Sequence, residues 1–240
     1  MKVSTKQVIL SCEHGGNRIP AAWRELFAGA EAVLDSHRGW DPGALECARR
    51  LAAELDRPLI SSSTSRLLVE LNRSLHHRQL FSEYTRSLPE AARQSIINKH
   101  YLPYRDRLQQ EIGRLIKRRG FALHLSIHTF TPVLNKEVRN ADIGLLYDPQ
   151  YRYERIFALR LRDSLYDHED GLKVRRNYPY RGNADGVTTY LRKQYPASHY
   201  AGLELEINQR YPLGGDRHAW RRLQHTVAQA VIQTLNNFDI

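Results

Sequence analysis

The chain has 240 residues, 41% of them hydrophobic and 26% charged, which is enough sequence to bury a substantial core. Charge interrupts every apolar run well short of the ~18 residues that a spanning helix needs, which excludes a helical membrane protein. Lys and Arg number 36 against 26 Asp and Glu, a formal net charge of +10 that suits either an anionic small molecule or a nucleic acid.

Val8-Ile9-Leu10 is a short β-branched run ending near Gly15-Gly16, which predicts a buried strand entering a tight loop. Asp41-Pro42 reads as an N-cap with proline at the first helical position, followed by Ala44, Ala48, Leu51, Ala52 and Leu55 on one helical stripe. Two strands are expected next, at Leu59-Ile60 and at Leu67-Leu68-Val69. Ser87 and Glu90 have capping-box spacing ahead of a helix that runs to Gly120 with a kink at Pro103. Strands follow at Phe121 to Ile127 and Ile143 to Tyr147, then a helix from Tyr151 to Asp167, strands at Leu172 to Val174 and Leu203 to Ile207, and a final helix capped by Asp216. Strands alternating with helices predict an α/β layered sandwich, its sheet mostly parallel or mixed, with helices on both faces. Without repeats or a long linker, residues 1–240 are expected to form a single domain. Two cysteines, Cys12 and Cys47, make no disulfide framework, and Met1 to Leu10 lacks a secretory apolar region, so the expected address is the cytoplasm.

His14 and His128 each end an apolar run followed by a turn signal, which places both at one edge of the sheet. Two neutral imidazoles are good zinc ligands, and a catalytic site wants about three protein ligands with an open position. The third is Asp41 or Glu13, with Asp41 preferred because Glu13 adjoins His14 and can point to the opposite strand face. As a plain alternative, Asp41 is simply a helix cap. Arg66, Asn72 and Arg73 flank an apolar segment and suit anion recognition, unless Arg66 merely pairs with Glu70. Tyr178 to Gly186 reads as a loop able to close over a site. Leu203-Glu204-Leu205-Glu206-Ile207 sets two glutamates on one strand face, where one is placed to act as a general base.

Together the blocks Ser11 to Pro20, Ser65-Arg66 to Asn72-Arg73, Ser126 to Thr129, Tyr178 to Gly182 and Leu203 to Asn208 resemble the N-formylglutamate amidohydrolase family, in that family's order. The order of site residues is also similar to that of zinc carboxypeptidases and acyl-amino-acid deacylases. The resemblance implies hydrolysis of N-formyl-L-glutamate to glutamate and formate in histidine breakdown, with one divalent metal, zinc, and a small anionic N-acyl amino acid as substrate. It implies that His14 and His128 ligate, that Arg66 polarises the carbonyl, and that Asn72 and Arg73 hold a substrate carboxylate. Glu206 is then the base, and Tyr180 and Arg181 belong to the closing loop. Asn17 stands where the carboxypeptidase pattern has a glutamate, and the His- and Arg-rich neighbourhood of residues 76 to 100 has no obvious counterpart in the N-formylglutamate amidohydrolase family.

Two other classes compete. One is a cysteine hydrolase that pairs Cys12 with His14 or His128. The other is a nucleic-acid binder using Lys117-Arg118-Arg119, Arg175-Arg176 and Arg221-Arg222; it is disfavoured because these clusters are scattered and no binding motif accompanies them.

Overall fold

The computed structural model describes residues 3–240. The apolar run at the start forms β1 (Val8–Cys12), buried along its whole length, as a strand covered on both faces must be. A 3-10 segment (Ala21–Phe27) and a short helix α1 (Glu31–Leu34) lead to α2 (Ala44–Leu55), which crosses back to β2 (Leu59–Ser61). Then come α3 (Glu90–Ile96), a π-helical turn (Ile97–Tyr101) and α4 (Leu102–Arg119), followed by β3 (Ala122–Phe130) and a small hairpin of β4 (Val133–Leu134) and β5 (Glu137–Val138). The rest of the chain is β6 (Ile143–Leu146), α5 (Arg152–His168), β7 (Val174–Arg176), α6 (Val187–Gln194), β8 (Tyr200–Asn208), α7 (Arg210–Leu213) and α8 (Arg217–Asn236).

Six strands make one sheet in the order β2-β1-β3-β8-β6-β7. The β2, β1, β3 and β8 strands run parallel, whereas β6 pairs antiparallel with β8 and carries β7 parallel to itself. This is the mixed α/β sandwich expected. One face packs Leu10, Leu125, Leu205 and their neighbours against α2, α5 and α8; the other packs Ile9 and Ile60 against α4, α6 and the 3-10 segment. No helix among the described residues is long and apolar enough to cross a membrane.

Several local expectations need correction. Leu67-Leu68-Val69 is a buried turn instead of a strand, because hydroxyls replace a ladder: Ser82 Oγ and Thr85 Oγ1 donate to the Leu67 and Leu68 carbonyls, at 2.5 and 3.1 Å. The strand expected around Arg66 is therefore absent, and Arg66 to Arg73 form a turn segment. Ser87 does not cap α3; Pro89 is the N-cap, and its carbonyl accepts from Ala92 and Arg93 N–H at 3.0 and 3.1 Å. Asp41 is not a side-chain cap either: α2 starts from Gly43, whose φ of 84° is a left-handed conformation that favours glycine. At Pro103 the break takes the form of the π-helical turn just before it. The Asp216 cap is present, with its carboxylate accepting from the backbone N–H of both His218 and Ala219 at 2.9 Å.

A buried ion pair locks the loop between β7 and α6 to the sheet. Arg192 Nε donates to Glu154 at 2.8 Å, and its Nη groups donate to the carbonyls of Gly182 and Gly202 at 2.7 and 3.0 Å. Removing one member of such a pair strands the other in a low-dielectric interior. Arg192→Met is expected to cost about 3–5 kcal/mol, read as a fall of roughly 10 °C in Tm by calorimetry.

Candidate metal centre and substrate pocket

The site lies beyond the carboxyl ends of the parallel strands, where α/β sheets expose polar loops. β1 delivers Glu13 and His14, β3 delivers His128, and β8 delivers Glu204 and Glu206 from the strand face opposite Leu203, Leu205 and Ile207. Asp41 is brought in by its backbone N–H, which donates to the His14 carbonyl at 3.0 Å. The turn carrying Arg66 is fixed by Arg66 N–H and Ser65 Oγ, both donating to the Gly39 carbonyl, at 3.1 and 2.8 Å.

Both histidines present Nδ1 to the same carboxylate oxygen. His128 Nδ1 lies 2.9 Å and His14 Nδ1 3.3 Å from Asp41 Oδ2, and all three residues are buried. One donor atom from each can be chosen so that the three lie within 4.8 Å of one another, a grouping able to hold a metal ion. Each ring is held from behind at Nε2 by a glutamate, Glu70 for His14 and Glu13 for His128, the latter at 3.1 Å. A carboxylate on the far nitrogen is how metal-ligating histidines are oriented. Glu13 itself is fully occupied in that outer position: Ser126 Oγ donates to it at 2.6 Å and Tyr104 OH at 2.7 Å. Of the two options for a third ligand, the geometry therefore favours Asp41 over Glu13.

Electrostatics test the fit of a cation. Burial works against ionising Glu13, Asp41 and Glu70, yet all three are held well below the ordinary carboxylate range, chiefly by His128 at Glu13, by His14 and His128 at Asp41, and by Arg66 and His14 at Glu70. Among the described residues, one guanidinium, Arg66, directly contacts Asp41 and Glu70 in this cluster. Burial also disfavours charged imidazoles, and Arg66 opposes protonation of His14, but neighbouring carboxylates outweigh both effects and raise His14 and His128 above 6.5. Three carboxylates against one guanidinium leave two charges to be balanced, by two protons on the histidines or by one divalent cation bound to the neutral rings. The donor set, two imidazoles and one carboxylate with carboxylates behind them, fits such an ion.

A cavity of about 320 Å³ opens above these residues, and Arg66, Asn72, Arg73, Tyr180, Arg181 and Glu206 all line it. The catalytic and substrate-binding candidates from the sequence are thus gathered in one place. Arg66 also fulfils its plain reading, since Nε and Nη2 donate to Glu70 at 2.8 and 2.5 Å and Nη1 to Asp41 at 3.2 Å. Asn72 has its oxygen engaged by the Val187 N–H at 2.7 Å, so its amide NH₂ is the group left for the cavity. Arg73 donates to the Asp185 carbonyl, and Tyr180 OH accepts from Arg139 Nη1 at 3.0 Å. Glu204 accepts from Thr188 Oγ1 at 2.8 Å, whereas Glu206 Oε2 is buried without a hydrogen-bond partner among the described residues. Burial first, then the charges of Asp41 and Glu204, push the Glu206 carboxyl up to about 7 against the pull of His128.

The loop from Tyr178 to Gly186, expected to close over the site, is stitched in place. Asn177 Oδ1 accepts from Tyr147 and Gly182 N–H at 3.0 and 3.1 Å, and Arg192 holds the Gly182 carbonyl. A Cβ on Gly144 would lie 1.9 Å from the Tyr178 carbonyl oxygen, so the loop rests directly on β6. Cys12 does not fit the cysteine-hydrolase reading. Its side chain is in the apolar core with Leu10 and Ala48, and burial pushes the thiol well above its ordinary value.

Sequence reasoning assigned no role to Ser126, Tyr104 or Thr129, and treated Glu70 only as a possible partner of Arg66. A signal for part of this was available: His124, Ser126 and His128 alternate with Leu123, Leu125 and Ile127, which marks a polar stripe on one face of a buried strand.

The sequence profile of the N-formylglutamate amidohydrolase family matches residues 6–212. The chain belongs to that family. A gene product of Agrobacterium tumefaciens of solved structure is similar at 27% identity, with a TM-score of 0.77 over 98% of this chain and 94% of that one. The fold is shared with N-formylglutamate amidohydrolase from Ralstonia eutropha JMP134, at 18% identity and a TM-score of 0.69 over 97% of this chain and 93% of that one. No curated protein matches the chain. Membership makes this chain an amidohydrolase and leaves the metal and the substrate to the site itself.

Two outcomes follow from the geometry. Glu70→Gln and Glu13→Gln should each weaken metal affinity about 10–100-fold in competition with a chromophoric chelator, with the fold retained by circular dichroism. In metal-stripped protein, the raised histidines contribute stability fully present below pH 6.5 and lost as pH rises through their folded pKa values. The lowered carboxylates contribute stability present above their unfolded values and lost on acidification. Melting of the stripped protein should therefore peak near pH 5–6 and decline by pH 8.5, and saturating zinc should remove the alkaline decline.

Proposed function

We propose that this amidohydrolase is metal-dependent and cleaves N-formyl-L-glutamate to L-glutamate and formate, with zinc held by His14, Asp41 and His128. The reading rests on one observation above all: the two Nδ1 atoms and the Asp41 oxygen converge beneath a cavity that also presents Glu206 and three arginines. Zinc, when bound, supplies Lewis-acid polarisation of the amide carbonyl and activation of water.

The chain's own residues divide the remaining work. Arg73 and Arg181 offer planar guanidinium forks for the carboxylates of an acidic amino acid, and the Asn72 amide adds a neutral donor that fixes orientation. Arg66, braced by Glu70 and Asp41, keeps its position as charge develops on the carbonyl oxygen, so little reorganisation is needed in the transition state. Glu206, with a carboxyl pushed up to about 7, takes a proton from the attacking water and returns it to the leaving nitrogen. Tyr180 and Arg181 form the rim on the fixed loop and so select the substrate by shape and charge. The substrate class suits a role in histidine breakdown in the cytoplasm, carried out by a single catalytic domain spanning residues 1–240.

Formate release from N-formyl-L-glutamate by zinc-loaded protein is the direct test. Glu206→Gln should lower kcat by about 10²–10⁴-fold while zinc content stays unchanged. His128→Ala should lose both zinc and turnover. Absence of formate release from zinc-loaded wild type, with N-acetyl or longer acyl amino acids hydrolysed instead, would reject the formyl substrate.

A further inference from the structure

A second cavity, of about 350 Å³, adjoins the catalytic one and shares Arg66 and Arg73 with it. It is formed largely by the His- and Arg-rich stretch after Arg73. Arg38, Arg66, Arg73, Arg78 and Arg86 line it, against two carboxylates, Glu70 and Glu83. Both carboxylates are already taken: Glu70 by Arg66 and His14, Glu83 by Arg38. Arg73 is directed to backbone carbonyl oxygens, and neither Arg78 nor Arg86 has an ion-pair partner among the described residues. Five guanidinium groups against two carboxylates leave the concavity with an excess of positive charge, which a bound anion offsets.

We infer that this cavity is an accessory site for a multiply charged oxyanion, adjoining the catalytic pocket through Arg66 and Arg73. The fork of each arginine matches carboxylate and phosphate oxygens alike. Such chemistry has two sources: a free phosphate-type anion, or the acidic tail of a substrate longer than one residue, the second of which rests on the proposed deformylase reading. Phe81 and Leu67 supply an apolar wall along which an aliphatic stem can lie.

The test uses the full-length zinc-loaded protein and the double variant Arg78→Gln/Arg86→Gln, both positions exposed and outside the catalytic machinery. Calorimetric titration with inorganic phosphate reads the free-anion source. Comparison of kcat/KM for N-formyl-L-glutamyl-L-glutamate and N-formyl-L-glutamate reads the substrate source. The expected result is a loss of about tenfold in the variant, in phosphate affinity or in kcat/KM for the dipeptide, while turnover of N-formyl-L-glutamate is unchanged. The arm that moves identifies the source. Equal behaviour of wild type and variant in both arms overturns the site. Because the phosphate arm needs no turnover, failure of the deformylase reading and failure of this site are distinguishable.

Discussion

Asp41 Oδ2 is the point on which the rest of the site depends. Two imidazole nitrogens face it, and an arginine contacts the other oxygen of the same carboxylate, so one side chain ties together β1, β3 and the turn of Arg66. Burying so much charge is tolerable only when every group has partners. Glu13, Glu70, Ser126 and Tyr104 supply those partners, and the carboxyl-end part of that sheet face is consequently a polar network bordering the apolar cluster of Ile9, Ile60 and Leu108. The opposite face, packed by α2, α5 and α8, provides the apolar mass against which that network is held.

The sheet separates these two tasks by parity. Along β3 and β8, odd-numbered residues such as Leu125, Ile127, Leu203 and Leu205 enter the apolar face, and even-numbered ones such as Ser126, His128, Glu204 and Glu206 enter the polar one. A register shift by one residue would exchange the faces and put four polar groups into hydrocarbon. The side-by-side pairing of His128 with Glu206 on neighbouring strands is what sets the ligand and the base within one cavity.

Much of this was legible in the sequence. The strands carrying His14, His128 and Glu206 followed from apolar runs and alternation, and Asp216 was legible as the cap of the final helix. Local chemistry misled where tertiary partners took over. Leu67 to Val69 has the composition of a strand, but its carbonyls meet hydroxyls from residues 82 and 85, which no local pattern reveals. Asp41 has the position of a cap, yet its carboxylate is claimed by histidines 27 residues before and 87 residues after it in the chain. The loop at 178–186 has a polar, glycine-bearing composition that suggests mobility, and it is fixed by distant partners, Arg192, buried beside Glu154, and Gly144 on β6, together with Asn177 at its start.

The outer strands have a bearing on how the molecule coexists with its own copies. Open sheet edges invite another chain to add a strand, and here both are kept to three residues, β2 at one side and β7 at the other. β7 in addition carries the exposed pair Arg175-Arg176, with the Arg175 guanidinium 4.9 Å from the Tyr178 ring centre. A basic pair that the sequence offered for contact with nucleic acid thus occupies a gatekeeping position, where like-charge repulsion between two molecules discourages edge-to-edge fibrillation.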